Sequence, residues 1–207
     1  LRTAFKSEIP LRTIFEAPTA AELAKKTEFY RQREFESNDD LTGIERPSEI
    51  PLSFAQQRLW FLAQMEADSS TYNMCEIFRL NGKLDIEALR FAARKIVERH
   101  EILRTSFDST GGKPSQIIAS AAKIDFTFAD ISDFPIESRE EKAREIASEV
   151  KNRPFDLTVC PLLRLKLIKL DETEHLLVVV FHHIISDGWS VGVFLKELSA
   201  FYEADLN

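Results

Sequence analysis

The sequence predicts an α/β or α+β fold with a mixed sheet. From Pro51 onward, segments of helical periodicity alternate with segments of strand character. Leu176 to Phe181 is uniformly apolar, as expected of a central strand buried on both faces. Capping boxes stand in front of the amphipathic stretches and mark where helices begin.

The elements follow in order. Leu1 to Phe5 reads as the end of a helix, closed by Pro10. Thr19 and Glu22 form a capping box that opens a helix through Leu23 and Lys26 to about Arg33. Residues 34–50 lose periodicity and gain charge and prolines, which marks a linker. Ser53 and Gln56 cap an aromatic-rich helix to about Met65. Tyr72 to Leu80 suits a strand, and Asn81-Gly82 is a turn signal. Asp85 caps a helix with Ile86, Leu89, Ala93, Ile96 and Val97 on one face. Leu103–Phe107, Ser115–Ala119 and Ile124–Phe128 are strand candidates, and Ser138 to Glu141 caps a charged surface helix reaching Asn152. Leu163, Leu165 and Leu167 alternate with Arg164 and Lys166, predicting a half-buried strand. Ser190 to Tyr202 closes the pattern as a helix.

Composition narrows the function classes. The 207 residues carry 27 Lys and Arg against 34 Asp and Glu, a formal charge of −7, which disfavours a nucleic-acid binder. Two cysteines give neither a disulfide framework nor a zinc-ligand set. Cys75 and Cys160 read as small core residues, and no apolar run is long enough to span a membrane. Leu1 is not an initiator Met, and Arg2 and Lys6 interrupt any leader-like segment. The expectation is a soluble, cytoplasmic piece of a longer chain.

The chemistry concentrates in Phe181-His182-His183-Ile-Ile-Ser-Asp187-Gly188-Trp189-Ser190. Strand side chains alternate, so His182 and His183 point to opposite faces and only one can face a given cavity. A histidine at the end of a central strand is suited to general base catalysis. Metal ligation and a purely structural histidine are the alternatives, and no third ligand on the same face is evident.

That stretch resembles the HHxxxDG signature of nonribosomal peptide synthetase condensation domains, of the chloramphenicol acetyltransferase-like superfamily. Ser53–Leu62 and Arg99–Phe107 resemble two further condensation motifs, and all three occur in the family's order. Ile9 to Thr19 and Leu23-Ala24 resemble the tail of a peptidyl carrier domain. The resemblance implies a mixed sheet with flanking helices, forming one lobe of a two-lobed domain. Residues 1–33 would be a short helical carrier remnant, 34–50 a linker, and 51–207 the truncated N-terminal lobe. The reaction implied is attack by an acceptor aminoacyl α-amine on a donor acyl thioester. Phosphopantetheine would arrive on upstream and downstream carrier domains, and its attachment serine lies outside these residues. The missing C-terminal lobe and an adjacent adenylation domain are the other implied partners, with no metal, nucleic acid or membrane. A freestanding acyltransferase using a soluble thioester, or a non-catalytic docking fragment, are the competing readings.

His183 is then the catalytic candidate, and His182 the one packed against the protein. Asp187 is expected to pair with an arginine, Arg104 first and Arg99 second, a solvated turn aspartate being the alternative. Gly188 is expected to allow close backbone approach or positive φ. Trp60 and Phe61 are expected in the core. Gly188-Trp189-Ser190 differs from epimerisation domains, and no paired aspartates of the heterocyclisation type occur. The Arg99–Phe107 stretch resembles the subtype that takes an L-configured donor.

Overall fold

Several helices of this chain begin where a side chain satisfies the first amides. The computed structural model describes residues 13, 16–33, 47, 49–66, 68–110 and 113–206. The chain divides into two compact units, Leu1–Arg46 and Pro47–Asn207. In the first, α1 (Ala20–Arg33) starts at the anticipated capping box. Glu22 N–H donates to Thr19 Oγ1 at 3.3 Å, and Glu22 Oε2 accepts from Thr19 N–H at 3.3 Å. The helix expected at Leu1–Phe5, the Pro10 connection and almost all of the linker lie outside the described residues.

The second unit opens with a two-residue strand, β1 (Ile50–Pro51), and then α2 (Phe54–Met65), whose Ser53–Gln56 capping box is complete. After β2 (Asn73–Asn81), Gly82 adopts φ +106°, a left-handed conformation that favours glycine. Its N–H donates to Thr173 O at 2.7 Å, tying the turn to a neighbouring hairpin. The Asp85 carboxylate then accepts from Glu87 and Ala88 N–H and starts α3 (Ile86–Arg99). A 3-10 turn (Glu101–Arg104) leads into β3 (Thr105–Thr110), followed by β4 (Lys113–Ile118), β5 (Asp125–Asp130) and α4 (Ile136–Asn152). β6 (Leu163–Asp171), β7 (Glu174–His182) and α5 (Gly188–Leu206) complete the unit.

Two sheets form among the described residues. β1, β4 and β3 make a small antiparallel sheet, and the main sheet has the order β2-β7-β6-β5. β7 pairs antiparallel with β2 and β6, whereas β5 and β6 run parallel. A parallel pair needs a crossover, and α4 supplies it. The sheet is therefore mixed, as expected.

β7 carries the core. Leu177, Val179 and Phe181 join a cluster with Leu89 and Ile96 of α3 and Phe194 and Leu198 of α5. Leu176, Val178 and Val180 join a second cluster with Ala143 and Ala147 of α4. Each such side chain contributes about 1.5–3 kcal/mol of hydrophobic transfer, so β7 is anchored from both faces.

Several expectations need correction. Leu103 and Arg104 lie in the 3-10 turn, not in a strand, because Thr105 Oγ1 donates back to Glu101 O at 2.7 Å. α4 starts at Pro135 with no side-chain cap, and Ser138 sits in its first turn with Oγ donating to Pro135 O. β6 is not half-buried, since α4 covers its second face and Arg164 is itself buried. Phe61 is 58% exposed, because it lies on the α2 face turned away from the core, whereas Trp60 packs against that core. Cys75 and Cys160 are partly buried rather than fully in the core. Burial raises the Cys75 thiol above its ordinary pKa, which keeps it protonated.

Candidate active site

The end of β7 separates the two histidines. His182 is the last strand residue and shares a face with Val180, towards α4. It is buried, edge-on to Phe155 with ring centroids 6.2 Å apart, and 6.5 Å from the Tyr72 ring. Its Nδ1 accepts from Ile184 N–H at 3.1 Å. Burial first, then the neighbouring His183 and Arg164, push its pKa down to about 4. His182 is thus a neutral acceptor that shapes the turn after it.

His183 stands beyond the strand and is exposed. Its N–H donates to Tyr72 O at 2.9 Å, and its Nδ1 lies 2.7 Å from Ser186 O. A carbonyl oxygen only accepts, so Nδ1 carries the proton and Nε2 of the neutral ring keeps a lone pair. His183 lines a cleft of about 670 Å³ with Gln56, Arg58 and Leu59 of α2, Ile185, and Asp187. A smaller, largely apolar cavity of about 160 Å³, between α3 and α5, shares Ile102, Ile185, Ser186 and Ser190 with it.

Among the described residues, Asp187 makes no arginine pair of the kind expected. Its Oδ1 accepts from Ser190 N–H at 2.8 Å and Ser190 Oγ–H at 2.6 Å, and its carbonyl accepts from Val191 N–H. It therefore caps α5, aided by the helix dipole. These hydrogen bonds, more than the nearby His183, hold the carboxyl below its ordinary pKa. Arg104 is occupied elsewhere: it donates to Ala119 O just after β4 and faces Glu101 at 3.4 Å. Arg99 faces Glu197 at 3.5 Å, beside a 2.5 Å contact between His100 and the same carboxylate. Gly188 needs no positive φ, because the cap makes the turn and Gly188 simply begins the helix. A Cβ there would meet nothing within 4 Å, so close approach within this unit is not its role either.

Gln56 does more than the capping its sequence position predicts. Its Oε1 accepts from Ser53 N–H at 2.9 Å while its Nε2 donates to Ile184 O at 3.3 Å. A glutamate would cap equally well but could not donate. Glutamine in place of glutamate in the box is the signal that points to this second bond. Among the described residues no three His, Cys, Asp or Glu side chains gather as a metal-ligand set, and no helix is long and apolar enough to cross a membrane.

Known proteins resemble this chain in sequence and fold. Residues 47–207 match the family model described as "Condensation domain". The chain is 38% identical over 200 residues to gramicidin S synthase 2 of Brevibacillus brevis, covering 97% of this chain and 4% of that protein. It is 41% identical over 155 residues to phosphinothricin tripeptide synthetase PhsC of Streptomyces viridochromogenes, covering 75% of this chain and 14% of that protein. Thus the chain spans a small fraction of each relative. The starter condensation domain of rhizomide synthetase RzmA superposes with a TM-score of 0.71 at 22% identity, over 76% of this chain and 38% of that one. A complex of the X-domain and OxyB from teicoplanin biosynthesis matches with a TM-score of 0.64 at 35% identity, over 77% of this chain and 34% of that one.

Proposed function

The chain belongs to the condensation-domain family, and from that premise we propose that it takes part in peptide-bond formation between two carrier-bound acyl groups. One observation carries the reading. His183 lines a cleft while its Nδ1 lies 2.7 Å from Ser186 O, which leaves Nε2 as the ring nitrogen without a partner in the turn.

The acceptor α-amine attacks the donor thioester carbonyl, a C–N bond forms, and collapse of the tetrahedral adduct breaks the C–S bond. The amine proton passes to His183 Nε2 and then to the departing thiolate. An α-amine titrates at about 7.7–8.0 and an imidazole near 6.5, so the transfer is not badly mismatched. Base catalysis of this kind supplies roughly 10²–10⁴-fold. Holding the two tethered reactants in attack geometry can supply about 7–11 kcal/mol, which is the larger effect. A hydrogen bond from the amine to His183 Nε2 serves both purposes.

The arms are phosphopantetheine groups on an upstream and a downstream carrier domain. Beside His183 the cleft is lined by apolar Leu59 and Ile185, by Ser53, Gln56 and Ser190, and by the charged Arg58 and Asp187. Residues 51–207 are the N-terminal lobe of the domain, 34–50 a linker, and 1–33 the tail of a carrier. The family match beginning at residue 47 and the division of the chain after Arg46 support a condensation part that starts near residue 47. A second lobe and an adjacent adenylation domain complete the machinery.

The test is mass spectrometry of carrier-bound dipeptide made by the full condensation domain with both carriers loaded. His183→Ala is expected to abolish product. Wild-type turnover in that variant overturns the assignment.

A further inference from the structure

Arg164 is a buried cation with no acid hydrogen-bonded to it among the described residues. It sits in β6 beside Val180 of β7, on the sheet face that carries His182, and is only 6% exposed. Desolvating a guanidinium costs several kcal/mol unless other groups compensate. Here the compensation comes from backbone carbonyls. Nη1 donates to Arg153 O at 2.5 Å and Val150 O at 3.4 Å, and Nη2 donates to Pro154 O. These oxygens lie at the C-terminal end of α4 and just after it, where the helix dipole favours a positive charge. Asn73, directly opposite His182 on β2, binds the same segment through Lys151 O at 2.6 Å and Arg153 O at 2.9 Å.

The clamp has a consequence at the active site. The Arg164 guanidinium lies 3.6 Å from the centroid of the Phe155 ring, within cation–π range, and Phe155 meets His182 edge-on. His182 in turn accepts the N–H of Ile184, the residue after His183. A continuous set of contacts therefore runs from Arg164 through Phe155 and His182 to the turn that holds His183.

We propose that Arg164 is a positioning residue for condensation, fixing the His183 turn through Phe155 and His182. The proposal rests on the role assigned to His183. It gives the buried charge a task that packing alone does not, since an apolar side chain of similar volume often replaces a buried charged group without loss of stability. The second part of that task is electrostatic. Only neutral His182 can accept from Ile184 N–H; the imidazolium would turn a donor towards a donor. The groups facing His182 are Arg164 from β6, Tyr72 ahead of β2, and His183 beside it. Burial and Arg164 both disfavour its protonation.

The experiment uses the full condensation domain with loaded carriers and compares Arg164→Gln, Arg164→Lys and Phe155→Leu with wild type. Misplacing a catalytic group by about 1 Å costs about 100-fold, so kcat is expected to fall between about 10- and 100-fold, with the KM for the acceptor carrier unchanged. In Arg164→Gln the NMR titration of the His182 ring should move to higher pH. Arg164→Lys, which keeps the charge, should hold that titration near wild type. Should Arg164→Gln fail to fold, Phe155→Leu decides, because it leaves the carbonyl clamp intact.

A folded variant with a lowered Tm but wild-type kcat and His182 titration would overturn the positioning role. Wild-type kcat in Phe155→Leu would do so as well. His183→Ala, run in parallel, separates the two readings. Its failure to reduce turnover removes the role of His183, whereas a His183-dependent enzyme indifferent to Arg164 and Phe155 removes only the positioning role.

Discussion

His183 Nδ1 lies 2.7 Å from the carbonyl oxygen of Ser186, three residues further along the same turn. That single bond chooses the tautomer and aims Nε2 away from the turn, so structure and chemistry can be separated by substitution. In His183→Asn the side-chain amide can still donate to Ser186 O, but nothing replaces Nε2. Turnover should fall by roughly 10²–10⁴-fold while Tm stays close to wild type. Thermal melts and single-turnover assays of the same preparation check this. A large drop in Tm would show that the ring is needed for folding.

His182 should make the domain acid-sensitive. Its folded-state pKa is about 4, below the ordinary 6.5, so the unfolded chain binds the proton more readily. Between pH 6.5 and 4 stability therefore falls as pH falls, by up to about 3 kcal/mol from this group. Above pH 6.5 its contribution is fully present. Urea titrations across that window should show a steeper slope for wild type than for His182→Phe, and parallel slopes would refute the burial argument.

Asp187 acts on α5 from an exposed position. Asp187→Ala removes the acceptor for Ser190 N–H and should lower Tm by a few degrees, while Asp187→Ser, another good N-cap, should restore most of it. Gly188→Ala should leave Tm unchanged or slightly higher, because the backbone is helical there and the added methyl meets nothing within this unit. A marked loss of stability in Gly188→Ala would mean that the turn needs glycine after all.

What the sequence discloses, and what it hides, follows the range of the forces involved. Ser53, Asp85 and the Leu176–Phe181 run are legible because capping and strand burial are written in neighbouring residues. Strand alternation anticipates that His182 and His183 part, although His183 lies in the turn after β7, where bonds to Tyr72 O and Ser186 O hold it. Arg164 misleads because its partners are carbonyls of α4 and the turn after it, 10 to 14 residues away, and alternation with leucines imitates a solvent-facing pattern. Asp187 finds its partner in Ser190 rather than in an arginine. That local option is visible as an Asp three residues ahead of a serine at a helix start.

The last prediction concerns residues 1–207 taken alone, which should form no dipeptide even with both carriers supplied. His183 is exposed here, and its cleft is bounded by α2, the His183 turn and the start of α5. Water reaches Nε2 freely and competes for each hydrogen bond that an amine would make. The dominant contribution to rate in the proposed reaction is holding two tethered reactants together, worth about 7–11 kcal/mol, and an open wall cannot hold both. Adding the second lobe by extending the chain should restore product, and His183→Ala should then abolish it. Dipeptide formation by the 207-residue chain alone would show that one wall suffices and that His183 supplies more of the rate than positioning does.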